Sequence, residues 1–337
     1  MITIRTQGAK GFVQSDKVTT DCWVDVRNAT KEDLLILEKD YKILGDHLID
    51  IMDIDEQARV EKEDDYTMFI IRVPIYNEQF EVPHFTVPVG IILFSDLIVT
   101  VCQTDSEVIE DLLVGKVKGF SSRNKSAFLL HFFGRSAIIY LRFLKDINRK
   151  TAAIERDLMA SVKNNELIQL LALEKSLVYF TTSLKSNEIL LEKLQNSKLL
   201  RFKEDETELL EDVLNDNKQA IEMSNIYSDI LSGMMDAFAS VISNNLNVVM
   251  RRLTTISVIF MPLNLLAGMG GMSEFSTITQ GVPYWISYPL FLLGLIPVAC
   301  LTYLILKGTG PSEYNGRVTK KKKISTQPLP PNLMVHR

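Results

Sequence analysis

The residues with the most pointed chemistry lie along one apolar stretch near the C-terminus. Asn247, Met250, Thr254, Ser257, Met261, Asn264 and Gly268 fall, at about 100° per residue, into a single helical stripe roughly 100° wide. The opposite side carries Val249, Ile256, Ile259, Phe260, Leu263 and Leu266. A line of amides, hydroxyls and thioethers backed by hydrocarbon is built to face something other than lipid. Small and polar residues in such a stripe serve a helix–helix contact or the wall of a water-filled path. A path would require the stripe to be repeated around a ring of identical subunits, because two spans are too few to enclose one.

Carboxylates form the second group. Asp205, Asp212, Asp216, Glu222, Asp229 and Asp236 recur at gaps near multiples of the helical repeat. The row reads either as a solvated face or as half of a hard-cation site, with Mg²⁺ or Ca²⁺ held between subunits through oxygens and waters. Far upstream, Asp46, Asp50, Asp53, Asp55, Glu56, Glu61, Glu63, Asp64 and Asp65 make another acidic crowd. Cys22, Cys102 and Cys300 are scattered, as are the 4 histidines, so no disulfide framework or structural zinc is suggested. No Gly-rich Lys-Ser/Thr phosphate loop occurs, and no nucleophile stands beside a base, so an enzyme is not expected.

The elements that position these groups follow from composition. The chain has 337 residues, 46% of them apolar, enough for two domains. Leu253 to Ser273 is free of charge, as is Tyr284 to Leu306; each is near the ~20 apolar residues that cross a bilayer. Everything before residue 240 is richly charged. The net charge of −5 conceals an acidic soluble part and a basic tail after Lys307. Arg251, Arg252, Lys307 and Lys320 to Lys323 flank the two spans, whereas the loop between them carries only Glu274. The positive-inside bias therefore predicts two cytoplasmic termini. The opening MITIRTQGAKGF lacks the apolar core of a secretory signal.

Upstream, short strand-like pieces occupy residues 2 to 30, notably Cys22 to Val26, followed by a turn and helix N-cap at Asn28 to Thr30. Short helices are predicted over Lys31 to Glu38 and Tyr41 to Asp53. Strands follow at Tyr66 to Pro74, Val89 to Phe94 and Leu97 to Cys102. The first ~120 residues thus form an α+β domain with a mostly antiparallel or mixed sheet. Helical periodicity takes over from Ser126 to Lys163 and from Asn164 to Gln195. A third helix begins near Asp205 and meets no proline before Pro262. Unbroken to Gly270, it would measure roughly 100 Å at 1.5 Å per residue. Such a rod can carry a tilt from its acidic end to its membrane end.

The order of these parts resembles the CorA-type metal ion transport family, the two-transmembrane divalent cation channels. The resemblance rests on Ser243 to Pro262 (SNNLNVVMRRLTTISVIFMP), on Leu265 to Met272 (LLAGMGGM), on Ile230 to Asp236, and near the N-terminus on His47 to Ile51, Arg59 to Glu61 and Tyr66. It implies a funnel-shaped homopentamer: a cytoplasmic α+β domain (1–122), a helical stalk (123–250), a pore helix (251–272), an outer loop (273–283), a lipid-facing second span (284–307) and a basic, Pro-rich cytoplasmic tail (308–337). It further implies that Asn247, Met250, Leu253, Met261 and Asn264 line or gate the pore, and that Asp50 and Asp212 of neighbouring subunits hold a regulatory Mg²⁺ that closes it. Where the family has Gly-Met-Asn, this chain has Gly271-Met272-Ser273, followed by Glu274. Five serine hydroxyls would make a wider, weaker receiver for a hydrated cation than five amides. The implied function is Mg²⁺ uptake across the cell membrane, with Co²⁺, Ni²⁺ or Zn²⁺ open as cargo. The competing reading is a non-conducting membrane sensor or scaffold.

Overall fold

The computed structural model describes residues 1–8, 11–160, 164–197, 199–200, 202–270, 277 and 281–309. It divides into two compact units, Met1–Val241 and Ile242–Arg337.

In the first unit, β1 (Ile2–Gly8), β2 (Gly11–Ser15), β3 (Cys22–Arg27), β4 (Arg59–Lys62), β5 (Tyr66–Tyr76), β6 (His84–Phe94) and β7 (Leu97–Cys102) form one sheet. Their order is β2-β1-β3-β7-β6-β5-β4. Neighbours run antiparallel except β3 and β7, which are parallel, so the sheet is mixed. Strand alternation feeds two cores. Phe69, Ile71, Val73 and Ile75 of β5 enter one, while Met68 and Ile70 enter the other. The second core is closed by α1 (Lys31–Asp40) and α2 (Gly45–Met52), which contribute Leu37, Leu48 and Ile51. The first is closed by α3 (Glu107–Leu113), α4 (Lys125–Ala160), α5 (Asn164–Asn196) and the near part of α6 (Glu204–Gly270).

Local chemistry explains the boundaries. Thr30 caps α1 reciprocally with Asp33: its hydroxyl accepts the Asp33 N–H at 3.2 Å, and the Asp33 carboxylate accepts the Thr30 N–H at 3.0 Å. Helix α2 starts at Gly45 rather than at Tyr41, because Lys42 adopts φ 54° and breaks the helical path. Strands β5 and β6 run past the prolines expected to bound them. Pro74 and Pro88 sit where the β5–β6 pair extends beyond the residues paired with β4 and β7, so neither removes a ladder hydrogen bond from a strand paired on both sides. Gly90 lets α2 approach the sheet, since a Cβ there would lie 2.2 Å from Ile51 Cδ1. On the other face, Asn187 of α5 accepts the Arg72 N–H at 2.9 Å and donates to the Arg72 carbonyl at 2.8 Å, while Ser186 accepts the Ala58 N–H at 2.8 Å. These bonds fix the entry to β4.

Helix α6 is continuous through Pro262, whose missing N–H leaves the Val258 carbonyl without its intrahelical donor. Residues 204–241 supply Leu210, Val213, Leu214, Leu231 and Phe238 to the first core. In the second unit, the rest of α6 and α7 (Tyr284–Thr309) are long and apolar enough to cross a membrane, and their most apolar windows are 0% buried. Helix α4 also passes that test of length and composition, but 61% of its window is buried inside the first unit.

Candidate functional site

The seven stripe residues Asn247, Met250, Thr254, Ser257, Met261, Asn264 and Gly268, together with Leu253, lie exposed on α6. The half-buried residues of the same stretch are Thr255, Ile259, Pro262, Leu263 and Leu266. At 100° per residue their stripe is centred roughly 150° around the helix from the polar one. One side of α6 is therefore covered within this chain, and the opposite, polar side is left open. The Thr254 hydroxyl donates to the Met250 carbonyl at 2.9 Å, which spends its one proton and leaves only acceptor lone pairs outward. Oxygen lone pairs on a polar stripe suit a hydrated cation. The expected outer mouth, Gly271, Met272, Ser273 and Glu274, lies outside the described residues, as does the tail beyond residue 309.

The two expected regulatory carboxylates belong to different layers. Asp50 is on α2, whose Leu48 and Ile51 enter one core; Asp212 is on α6, whose Leu210, Val213 and Leu214 enter the core across the sheet. Among the described residues no hydrogen bond or ion pair joins them. Asp50 accepts from Arg59 Nη2 at 2.6 Å, whereas Asp212 is exposed. Asp216, one turn further on, is half-buried and its carboxyl is pushed up, first by burial and then by the Asp212 charge. Asp205, Glu222, Asp229 and Asp236 are exposed. Within one chain the acidic row, Asp216 apart, is a solvated face.

One grouping was not legible from spacing. His47 of α2, Glu61 of β4 and Glu63 just after it bring an imidazole nitrogen and two carboxylate oxygens within 4.8 Å of one another. His47 Nε2 stands 2.7 Å from Glu61 Oε2 and 3.8 Å from Glu63 Oε1. Its Nδ1 is 2.9 Å from the Tyr66 hydroxyl, which also accepts the Leu44 N–H at 3.1 Å. Arg59 Nε donates to Glu61 Oε1 at 2.7 Å, and its Nη1 reaches Glu56. Burial alone would lower the Arg59 pKa, but the bonds to Glu61 and Glu56 outweigh it and the net shift is upward. A chain of contacts thus runs from His47 through Glu61 and Arg59 to Asp50.

Comparison with known proteins gives a consistent answer. The family described as "CorA-like Mg2+ transporter protein" matches residues 20–307. The "Cobalt/magnesium transport protein CorA" of Methanocaldococcus jannaschii is 28% identical over 255 residues, covering 74% of this chain and 79% of that protein. The protein of the same name from Thermotoga maritima is 22% identical over 293 residues, covering 85% and 82%. Among solved structures, the complete CorA magnesium transporter from Methanocaldococcus jannaschii superposes with a TM-score of 0.73 at 24% identity, covering 92% of this chain and 98% of that one.

Proposed function

The chain belongs to the CorA-like Mg²⁺ transporter family, and from that membership we propose that it conducts hydrated divalent cations, Mg²⁺ first and Co²⁺ second, inward across the cell membrane. The observation that carries the proposal is the exposed polar side of α6, opposite the side this chain covers. An exposed line of Ser257 and Asn264 in a charge-free span is costly against lipid. It is satisfied when further copies of the chain turn the same line toward a shared, water-filled axis. In this reading the assembly is a homopentamer, α6 lines the path, α7 meets lipid, and both termini are cytoplasmic. Names given to the relatives favour Co²⁺ as the second cargo.

Energy for uptake comes from the membrane potential. At about 2.3 kcal/mol per charge per 100 mV, a doubly charged ion gains roughly 4.6 kcal/mol, and no nucleotide is needed. Gating is assigned to Asp50 of one subunit and Asp212 of the next. The separation of the two carboxylates into different layers of one chain supports a site shared between chains. Internal Mg²⁺ would compete with Arg59 for Asp50, bridge the subunits and hold the path shut; its loss would leave like charges to repel. Ser273 would receive the ion at the outer mouth.

The test is ion uptake into liposomes bearing the purified chain with an interior-negative potential. Mg²⁺ and Co²⁺ should enter without ATP, and loading the interior with Mg²⁺ should stop entry. Asp212→Ala should need several-fold more internal Mg²⁺ for the same block. No uptake from an intact oligomer would replace the channel with a sensor or scaffold.

A further inference from the structure

We infer that His47, Glu61 and Glu63 form a binding site for one first-row transition cation of the Co²⁺, Ni²⁺ or Zn²⁺ class, distinct from the path on α6 and from the Asp50–Asp212 pair. The three ligand atoms already lie within 4.8 Å of one another. Ligands at about 2.0–2.2 Å from a shared ion stand roughly 3–4 Å apart. The 2.7 Å contact between His47 Nε2 and Glu61 Oε2 must open, and the carboxylates close in, to admit it.

The donor set determines the class. One neutral imidazole with two carboxylates favours the later divalent metals, whereas Mg²⁺ prefers oxygen ligands and retains its waters. The support around the ligands is also present. With a metal on Nε2, Nδ1 carries the ring proton and donates it to the Tyr66 oxygen, 2.9 Å away. The Leu44 N–H fixes that hydroxyl, and the Tyr66 ring meets the His47 ring edge-on at a centroid distance of 5.9 Å. Glu61 is steadied through its other oxygen by Arg59. Fixing the second ring nitrogen and the free carboxylate oxygen is how metal ligands are usually oriented. The His47 side chain is 7% exposed, while Glu61 and Glu63 are 36% and 40% exposed. The imidazole is thus the floor of the site and the carboxylates its entrance.

A simpler arrangement, a His47–Glu61 hydrogen bond and nothing more, accounts for Glu61 but gives no role to Glu63. Occupancy would also draw on Glu61, and through Arg59 on Asp50. That extension to gating rests on the regulatory role proposed above; the binding itself does not.

The experiment is a Co²⁺ titration of the full-length chain in detergent, in millimolar Mg²⁺ to fill hard-oxygen sites, read by the visible absorption of Co²⁺. One Co²⁺ per chain should bind with bands that His47→Ala removes. Glu63→Gln should weaken binding about tenfold or more, and Glu192→Gln, exposed on α5, should leave it unchanged. Equal bands and affinity in wild type, His47→Ala and Glu63→Gln would overturn the site, as would complete displacement by Mg²⁺. Should His47→Ala fail to fold by circular dichroism, the half-exposed Glu63→Gln decides alone: weaker binding supports the site, unchanged binding overturns it. Either overturning result leaves the transport proposal standing, because uptake is measured separately.

Discussion

Helix α4 and the far part of α6 are each apolar and long enough to cross a bilayer, yet they are used in opposite ways. In α4, Phe128, Leu129, Phe132, Ile139 and Tyr140 are fully buried against the sheet and α5, and the Tyr140 hydroxyl finds the Arg72 carbonyl at 3.1 Å. In α6, Leu253, Ile256, Phe260 and Leu265 are more than half exposed. Length and composition do not separate the two helices; what surrounds them does. The main apolar face of α4 meets protein, whereas α6 has hydrocarbon on one side, polar groups on another, and a half-buried stripe of about 100°. A helix with three kinds of side suits three kinds of neighbour: on the proposed function α6 has protein on one side, lipid on the second and water on the third.

The sharpest way to break this contrast is to place a charge on each side of α6. Ile256→Asp on the apolar side should prevent stable insertion, since an ionised group at mid-membrane costs about 3 kcal/mol even by the mildest scales. Ser257→Lys on the polar side should insert and assemble but block cation uptake by repulsion. Yields from membranes together with uptake measure both effects, and equal loss of insertion from the two would erase the distinction between sides.

In the first unit the corresponding stress falls on a buried charge. Asp111 accepts from Lys116 at 2.5 Å and from Arg135 Nε at 2.8 Å, and its side chain is 3% exposed. Burial raises its pKa, but Lys116 and Arg135 overcome this and hold it below the usual carboxylate range. Because the folded-state pKa is depressed, the stabilisation is present above the ordinary Asp value of ~3.9 and is lost as pH falls through the lower folded value. Asp111→Asn should cost about 3 kcal/mol near neutral pH, a penalty that fades in strong acid. Thermal unfolding across pH checks both. A smaller effect is expected from Gly90→Ala, about 1–3 kcal/mol, because the new Cβ would press on Ile51. Displacing α2 should weaken Co²⁺ binding at His47 without altering the apolar side of α6.

How much was legible in the sequence depended on whether the signal was local. The strand expected over Leu97 to Cys102 and the cap expected within Asn28 to Thr30 match the structure, since alternation and capping are properties of adjacent residues. The polar stripe of α6 was legible for the same reason: one period fixes it. Strand β4 carries no strand signal of its own, because RVEK is four residues long and mostly charged. The extensions of β5 and β6 past Pro74 and Pro88 depended on where neighbouring strands stop, which no local pattern encodes. The His47, Glu61 and Glu63 group arises only where α2 crosses the sheet beside β4. Spacing along the chain cannot reveal a contact made by that crossing.

Whether α6 can line a path for ions is decided by which of its sides meets water. In a Cys300→Ser background, Met261→Cys on the polar side and Ile256→Cys on the apolar side should be exposed in turn to a charged, membrane-impermeant thiol reagent in liposomes. Rapid labelling of Met261→Cys with arrest of Mg²⁺ uptake, and no labelling of Ile256→Cys, is the predicted result. Labelling of Ile256→Cys while Met261→Cys stays inert and uptake continues would contradict it.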